Sequence, residues 1–198
     1  PGAAAAAPPG MSTLSGVGDA QPLPLPAGAF EPARPWALAK PPAPPGKTGV
    51  RKPAAWEDSY RRFAAGESAE VIAMQPASGK PIQTSTVVSH VLSALTQGRP
   101  VDLHRLATFA PPPTLAQWEA LQEAEMAASV DVVTDDKAQM GALLKTFLPA
   151  AAKEFGERTQ ADKALLDGWY GRCHWFMALR RVGYEPSADA KPKRARVA

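Results

Sequence analysis

The stretch KPIQTSTVVSHVLSALTQGRPVDLHRL, residues 80–106, carries the side chains with the clearest chemical use. Thr84, Ser85, Thr86, Ser89 and Ser93 place hydroxyls, and His90 an imidazole, between apolar residues at regular spacing. Such groups hydrogen-bond phosphate oxygens or base edges, and short side chains allow a partner to come close. Affinity for a polyanion comes mainly from Lys and Arg, and neither occurs between Thr84 and Gln97. Lys80 before the run, Arg99 and Arg105 after it, and Arg61 and Arg62 upstream form a thin basic rim. Read from residue types alone, a solvated polar face is the leading reading, and weak contact with nucleic acid, mostly with its backbone, is the alternative. The residues expected at DNA are Lys80, Thr84, Ser85, Thr86, Ser89, His90, Ser93, Arg99, Arg61 and Arg62.

Other constellations point to no catalysis. GKTG at 46–49 lacks the leading glycine and the preceding strand of a phosphate loop. Cys173 and His174 are neighbours, and neighbours on a helix diverge by about 100°, so they make no nucleophile–base pair. Cys173 reads as an inert core thiol. Asp135–Asp136 reads as a helix start and Glu123–Glu125 as a solvent face. One cysteine excludes an internal disulfide, and His90, His104 and His174 are too dispersed in sequence for zinc spacing. No catalytic residue, cofactor or metal is expected.

These side chains must be positioned by helices. WEDSYRRFAAGES puts Trp56, Tyr60 and Phe63 on one side of a first helix, with Gly66 at its C′ position. Ser68 precedes a short second helix whose apolar side is Val71, Ile72 and Met74, ended by Pro76. Thr84 or Ser85 caps the third. Its Val87, Val88, Val91, Leu92 and Leu95 share one arc, while Thr86, Ser89, His90, Ser93 and Gln97 share the opposite, free one. Gly98 closes it, and Val101, Leu103 and Leu106 face inward from a short fourth helix.

The later chain is helical too. Thr114 and Gln117 form a capping box ahead of Leu115, Trp118 and Leu121. Asp135 and Asp136 open a helix with Met140, Leu143, Leu144, Phe147, Leu148, Ala151 and Phe155 at helical spacing, which Pro149 kinks or divides. A last helix runs from about Gln160 to Val182, with Leu165, Leu166, Trp169, Tyr170, Cys173, Phe176 and Met177 on one face. Trp175 and Leu179 lie off that stripe, as a second apolar patch for the first helix or a partner. No pair of segments alternates as a sheet would. The fold class expected is all-α: a helix-turn-helix, winged-helix-like without a clear wing, then a small helical bundle.

The order of these elements resembles the helix-turn-helix domain at the C-terminus of RecQ and Werner-type DNA helicases and some related exonucleases. The matching positions are Gly66, Ile72–Ala73, Ser85–Thr86–Val87, His90, and Gly98 through Leu106. The likeness covers roughly residues 56–107 and extends to WYGRCHWFMAL. One departure stands out: Gln75 to Gln83 separates the second and third helices, where compact motifs use three or four residues. The resemblance implies an accessory DNA-binding module, without catalysis of its own, of a DNA helicase or 3′–5′ exonuclease of DNA repair or replication. The implied partners are DNA and a helicase or exonuclease core in the same full-length chain. The alternative is a helical docking or structural module without a nucleic-acid role.

Composition sets the boundaries. Of 22 prolines, most fall in the first fifty residues, where PLPLPAGAFEPARPWALAKPPAPPG has neither helical nor strand period. Residues 1–52 are therefore expected to be a disordered linker, with Trp36 an incidental aromatic. Residues 53–110 form the helix-turn-helix unit and 111–185 its helical extension. The chain opens at Pro1, which suggests the C-terminal piece of a longer product. Net charge is +3, with −3 over residues 111–185 and +3 over 186–198. The tail KPKRARVA is thus the distinctly basic segment, suited to polyanions or nuclear import, and the nucleus is the expected location. No apolar run approaches the ~20 residues that span a bilayer, so no membrane partner is expected.

Overall fold

The computed structural model describes residues 21–39 and 53–186. Among the described residues the protein is all-α apart from one pair of two-residue strands. Its elements are β1 (Ala29–Phe30), α1 (Ala55–Ala64), α2 (Ala69–Met74), α3 (Thr84–Thr96), β2 (Val101–Asp102), α4 (Leu103–Ala107), α5 (Leu115–Ala127), α6 (Met140–Lys145), α7 (Pro149–Ala152) and α8 (Gln160–Arg181).

α3 and α8 form the centre. α3 packs against α1, α2 and α8, and buries Val87, Val88, Val91, Leu92, Ala94 and Leu95. The inward arc read from spacing is the buried one. α8 buries Leu166, Trp169, Cys173, Phe176 and Met177, but also Trp175 and Leu179. The off-stripe pair is covered by the chain itself, because α8 has neighbours on more than one side. The Trp175 indole N–H donates to the Ala110 carbonyl at 3.1 Å. Leu165, by contrast, is exposed. Trp118 packs edge-on against Phe176 and Tyr184, joining α5 to α8.

Local signals hold at several termini. Gly66 and Gly98 have φ of +105° and +82°, a region that glycine occupies without steric cost. Ser68 accepts from the Val71 N–H, and Asp102 from the Arg105 N–H. Thr114 with Gln117, and Thr159 with Asp162, complete capping boxes. Lys153 and the Thr159 N–H hold the pKa of the Asp162 carboxyl down to about 2. Pro149 divides its helical run by taking the first position of α7, where its missing N–H costs nothing.

Other local readings are corrected. α3 is capped neither by Thr84 nor by Ser85: Gln83 holds the cap position, with no side-chain cap, and Ser85 Oγ donates to Gln83 Oε1. Asp135 and Asp136 start no helix, since α6 begins at Met140; the Asp135 carboxylate instead accepts from the Lys137 N–H within a turn. α2 buries Ala69, Ile72 and Ala73, whereas Val71 and Met74 are exposed. Phe155 is exposed in a single 3-10 turn.

The largest departure concerns residues 21–39, expected to have no fold. They lie along the helices as a strap. β1 pairs antiparallel with β2, Ala29 opposite Asp102 and Phe30 opposite Val101. Leu23 is 4% exposed, the Leu115 N–H donates to the Gln21 carbonyl at 3.0 Å, and the Tyr184 hydroxyl donates to the Pro24 carbonyl. Trp36 is anchored three times. Its backbone N–H donates to the Thr96 carbonyl at 2.8 Å, its indole N–H to the Val133 carbonyl at 2.6 Å, and the Arg181 guanidinium lies 4.0 Å from its ring centre. Proline-rich chain has no period, but its carbonyls remain free to accept and its fixed φ lowers the entropy lost on docking. The expected disorder of residues 1–20, 40–52 and 187–198 lies outside the described residues.

The strap also explains why Gly98 tolerates little. A Cβ there would lie 2.9 Å from Pro35 Cγ, on a backbone already in the left-handed region. Gly98→Ala is expected to destabilise by about 1–3 kcal/mol, read as a lower midpoint in chemical denaturation with an unchanged slope.

Candidate nucleic-acid interface

Two polar groups of α3, Ser89 and His90, are spent inside the fold. Ser89 Oγ meets His174 Nδ1 of α8 at 2.9 Å, and His90 Nδ1 meets Ser59 Oγ of α1 at 2.9 Å. Thr84, Thr86, Ser89 and His90 are half-buried; Ser85 and Ser93 are exposed. Ser93 Oγ donates to the Ser89 carbonyl at 2.8 Å, a bond within its own helix. The arc expected to be free is thus partly covered, because α1 and α8 flank α3 on either side of its exposed edge. Burial lowers the pKa of both histidines, and the Arg181 charge lowers that of His174 further. Neutral imidazoles at these places suit inter-helix hydrogen bonds better than phosphate binding.

The basic residues divide in the same way. Arg62 is held by the Glu67 carboxylate, with Nε 3.0 Å from each oxygen, and donates as well to the Gln75 carbonyl. Arg105 donates to the Phe63 and Glu67 carbonyls and lies 4.2 Å over the Phe63 ring. Both are structural. Lys80 is exposed in the loop before α3, and Arg99 is exposed beyond its C-terminus. Thirteen residues of helix separate their ends by about 20 Å. The set expected at DNA therefore does not share one surface: Ser89 faces α8, His90 faces α1, and Lys80 stands at the far end of α3 from Arg99.

What the fold does bring together is Arg61 and Arg99. They line a cleft of about 470 Å³ with Pro53, Trp56, Glu57, Asp58 and Tyr60. The buried face of α1 centres on Ser59 and Phe63, so Trp56 is turned out of the core into this cleft. The Tyr60 hydroxyl donates to the Pro100 carbonyl at 3.0 Å, tying α1 to the segment after α3. Its pKa is raised by burial and pulled back by Arg99, whose charge is close enough to be felt. Arg61 pairs with Asp58 at 2.7 Å while 77% of its side chain is exposed. The cleft balances two acids against two guanidinium groups.

Spacing puts Trp56 on one side of α1 with Tyr60 and Phe63, yet of the three only Phe63 is fully buried. The available signal was its place in the first turn of a helix, where few neighbours can cover a large ring. Cys173 is buried, and burial pushes its thiol up to about 12, as suits an unreactive core residue. Among the described residues no group of His, Cys, Asp and Glu could hold a metal ion, and no helix is long and apolar enough to cross a membrane. No family model, curated protein or solved structure matches this chain.

Proposed function

We propose that this chain is an accessory DNA-binding module without catalysis of its own, which touches DNA weakly at the cleft of Trp56, Tyr60, Arg61 and Arg99. The convergence of an outward indole with two guanidinium groups carries this reading. Arginine neutralises phosphate, and the half-buried indole in the cleft wall offers the part of its ring that is open for stacking with a base. The hydroxyls of α3 are not its contact surface. The motif likeness to helicase C-terminal domains adds the setting: a helicase or 3′–5′ exonuclease core in the same full-length chain, in nuclear DNA repair or replication, with Lys191, Lys193, Arg194 and Arg196 as an import signal.

Two phosphate contacts, from Arg61 and Arg99, give a log–log salt slope of about −1.5 to −2. Fluorescence anisotropy with single-stranded, duplex and forked oligonucleotides at two salt concentrations measures it. Arg61→Glu with Arg99→Glu is expected to abolish binding without unfolding the protein. Binding that survives both changes but vanishes when the chain stops at Pro186 would assign the contact to the basic tail instead. The second reading, a helical docking or structural module, is favoured by the Ser89–His174 and Ser59–His90 bonds, which spend the polar face of α3 on holding helices together. Absence of binding to every oligonucleotide would select it.

A further inference from the structure

A second concavity lies between α3, α8 and residues 136–141, with a volume of about 490 Å³, within the range of small-molecule sites. It is separate from the Trp56 cleft and independent of the DNA reading. Leu92, Met140, Tyr170 and Met177 supply apolar wall, and methionine adapts to the outline of a ring. Ser89 and His174 both line it. Because Ser89 engages Nδ1, the other ring nitrogen of His174 is left over, donor or acceptor according to which way the hydroxyl turns.

The remaining polar groups decide the kind of ligand. Arg181 uses Nε on the Val132 carbonyl at 2.9 Å, and its terminal nitrogens make no hydrogen bond to a described residue. Neither do the side chains of Asp136 and Gln139 at the exposed rim. Arg181 offers donors, Asp136 offers acceptors, and Gln139 offers both. Their opposite charges cancel, so an anion attracted by Arg181 is repelled by Asp136, and a cation the reverse. A neutral molecule with donors and acceptors side by side satisfies all of them. Catalysis by Ser89 and His174 does not follow: Ser89 sits in mid-helix, where backbone N–H groups are already bonded and no oxyanion hole is offered.

The walls are pinned before any ligand arrives. Trp36 bonds Thr96 at the end of α3 and Val133 beside the loop, and stacks on Arg181 of α8. Thr96 and Arg181 line the cavity, so one residue, through its backbone N–H and its indole, ties α3, α8 and the adjoining loop together. A preformed site spends little of the binding energy on ordering itself.

From this arrangement we infer that the cavity between α3 and α8 is a binding site for a neutral, flat heterocycle of one or two rings that carries adjacent N–H and C=O groups. The test is an amide-resolved NMR titration of the full chain with quinazolin-4(3H)-one, beside benzoate and benzamidine as charged comparators. The lactam is expected to give saturating shifts at Ser89, Tyr170, His174 and Gln139, with a Kd on the order of 1 mM or below, and both charged rings to bind at least about tenfold more weakly. Ser93→Phe and, separately, Gln139→Trp place bulk at the exposed rim and should each remove these shifts. The inference is overturned if the lactam leaves those amides unmoved, if a charged ring binds as well, or if shifts persist in both plugged variants.

Discussion

Leu92→Asp unfolds the protein, whereas Ser93→Asp, one position on, leaves its thermal midpoint nearly unchanged. Leu92 is 3% exposed and sits where α3 meets its neighbours. An aspartate there either keeps its charge without a partner in an apolar surrounding or takes up a proton and still leaves a polar group unsatisfied, a cost of several kcal/mol. That is a large part of the roughly 5–15 kcal/mol by which a domain of this size is stable. Ser93 is exposed, and its hydroxyl bonds only within its own helix, so a carboxylate there stays in water and changes stability by about 0.5 kcal/mol at most. The readout is a pair of thermal melts followed by helical circular dichroism. Two alike melts would mean that the faces of α3 are wrongly assigned.

Trp36→Ala releases the strap while the helices stay folded. The substitution deletes the indole bond to Val133 and the cation–π contact with Arg181, and it leaves the Trp36 N–H to Thr96 bond alone at that end. The hydrogen bond contributes about 1 kcal/mol, the partly buried cation–π contact about 1–2, and the lost ring contact adds to these. The expected local cost is about 2–4 kcal/mol. Amide hydrogen exchange should then speed up by about 30-fold to 1,000-fold across residues 29–39, while amides of α3 and α8 keep their protection. Uniform loss of protection in the helices would show that strap and helices unfold as one unit. Unchanged exchange at residues 29–39 would show that β1 and Leu23 hold the strap without Trp36.

The motif likeness to helicase C-terminal domains and the geometry bear on different parts of the molecule. The likeness rests on the third helix and its flanks, yet Ser89 and His90 are engaged by α8 and α1. The groups left for a polyanion are those at the edge of α1 and beyond α3, Arg61 and Arg99, with Lys80 apart from them. A DNA contact built this way reads backbone and base faces rather than groove edges.

Sequence by itself determined the helical class and the inward arc of α3, because a long amphipathic helix writes its burial into residues three and four apart. Val87, Val88, Val91, Leu92 and Leu95 could be assigned from spacing, and so could the Thr114 capping box, the glycine ends at Gly66 and Gly98, and the break at Pro149. Tertiary structure alone decided what lies against the other arcs. Whether Ser89 meets solvent, DNA or His174 depends on a helix 85 residues away, and no local pattern encodes such a distance. Trp175 and Leu179 look like a spare patch until α8 proves to be central, with neighbours on several sides. The strap was illegible for a related reason. An extended proline-rich segment docks through single side chains such as Leu23 and Trp36 and through backbone bonds to remote elements. It therefore carries no periodicity, and its order exists only once the helices it lies on have formed.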